Sequence, residues 1–312
     1  MREKCVPAES QMLTGEAQSG QVWLTPQNIW FGSLLALATI VFIKPLAVVV
    51  RGSFSADQYS QMLVIPPLSA ALIYLEQKSI FAQVIFARLA TGFFAVFIAV
   101  FAGLSFLNGG MDPSIYISLS ILLFSGCCIA AFWFSYGRKA VWAGLFPLGF
   151  LVLMTPLPDA WRQRVIVFLQ YGSAVVTDWF FSGVNIPFSR DGVIIVLPSV
   201  TIEIAEECSG IRSSVVLFIA GLVLGHLFLR KIQSKIILLI LLVPLTIIKN
   251  AFRIFSLSTL GVYVNPSFLS GRLHHQGGIV FFAVAFIGLW VIVWALQKLE
   301  GQPAAAKTAT QS

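Results

Sequence analysis

The chain has 312 residues, of which 58% are hydrophobic and 11% charged, and its mean hydropathy of +0.88 excludes an ordinary water-soluble domain. The net charge of +7 does not point to nucleic acid, because the Lys and Arg residues stand singly between apolar runs and form no basic stripe interleaved with aromatics. These values imply an integral membrane protein whose first partner is the lipid bilayer.

Residues 1–28 open with the polar run MREKCVPAESQMLTGEAQSG, which lacks the apolar core and small-residue cleavage site of a signal peptide and reads as a disordered cytoplasmic leader. Roughly 20 apolar residues are needed to cross a hydrocarbon core of about 30 Å, and by that measure eight segments qualify. They are 29–50, 61–76, 86–107, 115–136, 140–157, 209–229, 235–262 and 277–297. The second and fifth are short and carry Pro66, Pro67, Pro147 and Pro156, so a tilted or partly re-entrant path is expected for them. Residues 29–297 read as one integral membrane domain, and 298–312 as a cytoplasmic tail.

With this plan Arg2, Lys4, Lys78, Arg88, Arg138, Lys139, Arg230, Lys231, Lys235, Lys298 and Lys307 fall on one side, and Arg51, Arg162, Arg164, Arg190 and Arg272 on the other. By the positive-inside rule both termini are cytoplasmic, and the expected site is the cytoplasmic membrane, multi-pass, with its chemistry on the outer face. The only large segment outside the membrane is then the outer loop 158–208. Within it, Trp161, Val165, Phe168 and Leu169 recur at helical spacing around two arginines, which predicts a helix lying in the interface. GVIIVL (192–197) and VTIEIA (200–205) alternate as strands do and predict a β-hairpin that leads to Cys208. The expected fold is therefore an all-α polytopic membrane protein of about eight transmembrane helices, with a small extracytoplasmic helix and β-hairpin before the sixth span.

The sequence AEECSGIRSS (205–214) sets Cys208 at the outer, N-terminal end of the sixth span, where unpaired N–H groups and the helix dipole favour a thiolate. Arg212, one turn on, would favour it further. In the seventh span KNAFRIF places Lys249, Asn250 and Arg253 in an otherwise apolar helix. Arg253 lies about 27 Å of helical rise beyond Lys235, near the outer boundary. Ionisable groups at such depth are costly and point to function, the bland alternative being that Lys249 and Arg253 reach outward to lipid headgroups. SGRLHHQGG then brings His274 and His275 to the start of the eighth span. Cysteine and histidine at one depth supply what thiol acyl transfer requires: a thiolate to attack a carbonyl, and an imidazole to take and return a proton. An arginine beside them can stabilise the oxyanion or hold the carbonyl. Cys127 and Cys128, mid-span, read as packing residues, and His226 sits at the opposite end of the sixth span. Four scattered cysteines, with Cys5 the fourth, give neither a disulfide framework nor a CxxC zinc pair. No cofactor is implied, and a metal held by Cys208 and the two histidines has no spacing to support it.

Cys208-Ser209-Gly210-Ile211, then Asn250-x-x-Arg253, then His274 followed four residues later by Gly278, each at the outer end of a late span, resemble the motifs of the exosortase/archaeosortase family. The resemblance covers about 30–297. It implies a polytopic cysteine transpeptidase that cleaves the C-terminal sorting signals of membrane-anchored preproteins, a short motif followed by one helix and a basic cluster, on the outer face. It gives Cys208 the role of nucleophile, Arg253 that of substrate or transition-state stabiliser, and His274 that of general acid and base. Arg212, Asn250 and His275 are supporting or alternative residues. His275 stands where the family often has a carboxylate, which leaves His274 and His275 as rival bases. An extracytoplasmic glycan or lipid acceptor, and a link to exopolysaccharide, belong to the same implication. The reading from a different class is a non-catalytic membrane component of polysaccharide export whose arginines bind anionic glycan or lipid; it makes Cys208 and His274 dispensable.

Overall fold

The computed structural model of the protein describes residues 25–55, 60–198, 200–204, 211–265 and 278–301, and the chain separates into two compact units, Met1–Pro158 and Asp159–Ser312. In the first unit, helix α1 (Pro26–Val41) starts where Pro26 brings a preset φ and Thr25 Oγ1 accepts the Asn28 N–H at 3.4 Å. It meets α2 (Ile43–Ser55) at a 79° bend beside the buried Phe42. The short helices α3 (Ile65–Leu75), opened by Pro66 and Pro67, and α4 (Gln77–Ile80) follow. Then come α5 (Leu89–Leu107), the 31-residue α6 (Pro113–Ala143) and the short α7 (Leu145–Phe150). Asp112 caps α6 by accepting the Ser114 N–H and hydroxyl at 2.7 and 2.6 Å, and these bonds hold its carboxyl below the usual range.

Near its C-terminal end α6 is interrupted at Gly137 (φ 88°). The irregular segment before α5 lies against this break: Ile85 N–H donates to Tyr136 O at 3.4 Å and Ala87 N–H to Phe134 O at 3.0 Å. A Cβ at Gly137 would run into the Ile85 carbonyl oxygen, so close approach and positive φ both require glycine there. Around the break Phe31, Phe81, Phe132 and Tyr136 stack edge-on and tilted, with centroids 4.7–6.0 Å apart.

The second unit contains α8 (Asp159–Gly183), strands β1 (Ser189–Asp191), β2 (Ile194–Leu197) and β3 (Val200–Glu203), then α9 (Ile211–Phe228), α10 (Ile232–Tyr263) and α11 (Gly278–Leu299). Small residues let these helices approach: Gly172 of α8 faces Ile247, Gly221 and Gly225 of α9 face Leu242 and Leu238, and Gly288 of α11 faces Leu245. The order of these contacts shows that α9 and α11 run antiparallel to α10, whereas α8 runs parallel to it. A buried apolar core of Leu217, Leu238, Leu242, Ala285, Leu289 and Val293 joins α9, α10 and α11. At the far end Glu300 accepts the N–H groups of Arg230 and Lys231, both at 3.0 Å, and so caps α10 from the C-terminal side of α11. Burial acts to raise its carboxyl, but the hydrogen bonds from Arg230, Ser234 and Lys231 outweigh it and hold the group below its ordinary range.

The sheet is antiparallel in the order β1-β2-β3, with Ile195 opposite Ile202 and Arg190 opposite Ile195. Ile195 and Leu197 face inward while Ile194 and Val196 face outward, the period of two that the sequence carries. The inward face packs with Ile204 on Ala174 and Phe181 of α8 and Ile254 of α10.

Two expectations change. The hairpin has a third strand, β1, whose sequence Ser-Arg-Asp has no apolar alternation to reveal it; Arg190 holds it by bonding Asp178 Oδ2 at 2.6 Å and Gly192 O at 2.8 Å, with its guanidinium 5.6 Å from the Tyr171 ring. The segment expected to lie in the interface is instead a 25-residue helix, α8, that passes by length and composition as a span and packs lengthwise on α10. The stripe Trp161, Val165 and Phe168 is its outward face, and its packing face is the small and polar set Gly172, Ser173 and Thr177. Among the described residues five helices are long and apolar enough to cross a membrane, six if the bent pair α1–α2 counts as one. Of the eight expected segments, 61–76 and 140–157 form shorter apolar helices, Met62–Leu75 and Leu145–Met154, and 209–229 is helical over its described residues, Ile211–Phe228. The prolines of the first two shorten them.

Candidate active site

Arg253 lies half-buried on α10. Its turn is the point where the other three helices of the second unit converge. One turn earlier, Asn250 is buried and its Nδ2 donates to Ser173 Oγ of α8 at 3.0 Å. The neighbouring Thr177 hydroxyl bonds the Ser173 carbonyl at 2.7 Å and faces Ala251 O at 3.5 Å. Lys249, only 7% exposed, directs its Nζ to Ser213 Oγ in the first turn of α9. Phe252 meets Phe281 of the first turn of α11 edge-on, with centroids 5.9 Å apart. The N-terminal turns of α9 and α11 and the Arg253 turn of α10 are therefore level with one another, at the end of the unit that carries the sheet. On the remaining side Gln170 Nε2 of α8 donates to Ile204 O at 2.6 Å, tying down the chain as it leaves β3.

Of the residues singled out in the sequence, Asn250 and Arg253 are found on this turn, and Arg212 belongs to the first turn of α9. Cys208, His274 and His275 lie outside the described residues. Cys127 and Cys128 are buried in α6 of the first unit, as expected for packing residues. Lys249 does not reach outward to headgroups; it turns into the bundle. Sequence reasoning passed over Gln170, Ser173 and Ser213, whose signal was a hydroxyl or amide at helical spacing within apolar helices, the pattern by which polar side chains join membrane helices. Among the described residues no three of His, Cys, Asp and Glu gather to hold a metal.

The fold and this turn define a polytopic helical membrane protein with polar chemistry gathered at one end of a four-helix unit. A family model for the transmembrane exosortase (Exosortase_EpsH) matches residues 52–291, and the chain belongs to that family. Comparison with curated proteins and with solved structures yields no match.

Proposed function

We propose that the protein is a membrane-embedded cysteine transpeptidase or peptidase that cleaves C-terminal sorting signals of exported proteins on the outer face of the cytoplasmic membrane. The observation that carries this reading is the convergence on the Arg253 turn of the two helix starts that follow the Cys208 and His274 motifs. At no more than ~3.6 Å per residue, three peptide links tether Cys208 within about 11 Å of Ile211, and four tether His274 within about 14 Å of Gly278. On this reading both meet at the Arg253 end of the unit.

In this mechanism His274 takes the Cys208 proton, and the thiolate attacks the scissile carbonyl of a membrane-anchored preprotein. Arg253 stabilises the oxyanion of the tetrahedral intermediate. The C–N bond then breaks, His274 gives its proton to the leaving amine, and the acyl group stays on sulfur as a thioester. An amine or water resolves the thioester and restores the thiol. Arg230, Lys231, Lys235 and Lys298 lie at the opposite end of the second unit, and by the positive-inside rule they support a cytoplasmic C-terminus and a site on the outer face. Membrane-anchored preproteins are the partners this reading requires, and a glycan or lipid bearing an amine would be the acceptor in transpeptidation, consistent with a link to exopolysaccharide.

Co-expression of a reporter ending in a short motif, one apolar helix and a basic cluster tests the proposal. Cys208→Ala is expected to leave the reporter uncleaved; cleavage equal to that of the unaltered protein would sink it. Retained function in Cys208→Ala together with loss in Arg253→Ala would instead support a non-catalytic, anion-binding role.

A further inference from the structure

Lys249 has no part in the chemistry just described, yet it is the most deeply buried cation among the described residues, 7% exposed in an apolar helix. Its four-carbon stem could carry the ammonium outward to water at low cost. It turns inward to the Ser213 hydroxyl instead. A buried ammonium with a neutral hydroxyl as partner is an expensive arrangement for stability alone, since an apolar residue of the same shape would pack there without the desolvation penalty.

We propose that Lys249 is a positioning residue of the Cys208–Arg253 site, pinning the first turn of α9 to the Arg253 turn of α10; this rests on the cysteine transpeptidase reading above. The chain that carries Cys208 is held at both of its described ends. Gln170 grips Ile204, four residues before Cys208, and Lys249 grips Ser213, five residues after it. The first turn of a helix lacks intrahelical partners for its N–H groups and is where helices fray, so the Lys249 bond holds α9 at its loosest turn. Asn250, the next residue, ties the same turn of α10 to Ser173 of α8, so the element that Lys249 binds to is itself fixed. Displacement of a nucleophile by an ångström costs on the order of a hundredfold in rate. Lys249 acts through this geometry and does not touch the reacting atoms.

Reporter cleavage by the full-length protein in membranes tests the assignment, with turnover and KM measured separately. Lys249→Met and Ser213→Ala are each expected to lower turnover roughly tenfold or more, the scale of a lost hydrogen bond to a charged group, at unchanged KM. The double variant is expected to be no worse than the poorer single one, and Ser213→Thr, which keeps the hydroxyl, to restore turnover. If Lys249→Met fails to accumulate, Ser213→Ala decides, because it removes only an oxygen. Wild-type turnover in Ser213→Ala overturns the assignment, as does a Ser213→Thr protein as impaired as Ser213→Ala. If Cys208→Ala is inactive while Lys249→Met and Ser213→Ala work normally, the Lys249 assignment alone falls; if Cys208→Ala is active, the transpeptidase reading falls with it.

Discussion

The two units place their buried polar groups to different ends. In the first, Ser118 and Ser120 of α6 return their hydroxyls to carbonyls one turn back in the same helix, at 2.8 and 2.7 Å, which satisfies the oxygen and joins nothing. Two of its cross-links, Ser69 Oγ to Pro147 O at 2.6 Å and Tyr136 Oη to Asn28 Oδ1 at 2.9 Å, are neutral and far apart. In the second, the hydroxyl oxygens of Ser173 and Ser213 accept from Asn250 and Lys249, adjacent residues on one turn of α10. The contrast teaches that a polar side chain in an apolar helix is not informative by its presence; the helix it bonds to separates a satisfied core hydroxyl from part of a site.

Substitutions should sort along the same line. The largest effect is expected from Asn250→Leu, which removes the amide beside Arg253 and leaves the Ser173 hydroxyl to find another partner. Thermal unfolding in detergent should fall by an amount corresponding to about 1–3 kcal/mol, and reporter cleavage should be lost even at a temperature where the protein stays folded. Gly137→Ala comes next: strain at positive φ and collision with Ile85 O should destabilise the first unit by about 1–3 kcal/mol, lowering protein level while cleavage per folded molecule is unchanged. Loss of cleavage per molecule in Gly137→Ala would break the comparison.

A smaller effect is expected from Arg190→Met, which removes a half-buried ion pair to Asp178 and the grip on the β1–β2 turn. The cost should be about 1 kcal/mol, seen as faster protease cutting near Gly192. The smallest concerns Glu300. Its carboxyl is held below the usual range when folded, so its contribution is complete above the unfolded value, about pH 4.3, and is lost as pH falls through the folded value. Glu300→Gln should flatten that acid dependence without changing stability's trend near neutrality.

Much of this was readable in the chain. The polar turn KNAFRIF stood out because ionisable residues are costly in a helix otherwise built of Ile, Leu and Phe. Strands β2 and β3 were visible in the alternation of Ile and Val, and the prolines marked α3 and α7 as irregular. What escaped was settled by packing. Helix α8 was read as interfacial because its large apolar residues are obvious and its arginines lie among them; that it turns Gly172, Ser173 and Thr177 toward α10 depends on a neighbour some 75 residues away in sequence, which no local periodicity records. Strand β1 exists because Arg190 finds Asp178 on α8. The hydroxyl of Ser213 looked like any small residue at a helix start until Lys249 was seen bound to it.

The central claim is that Cys208 carries an acyl group from the substrate. Wild-type membranes incubated with the reporter and quenched in acid should yield, by mass spectrometry, a reporter fragment attached to Cys208 that hydroxylamine releases, with no such adduct in Cys208→Ala. Cleavage of the reporter at the wild-type rate by Cys208→Ala would contradict it.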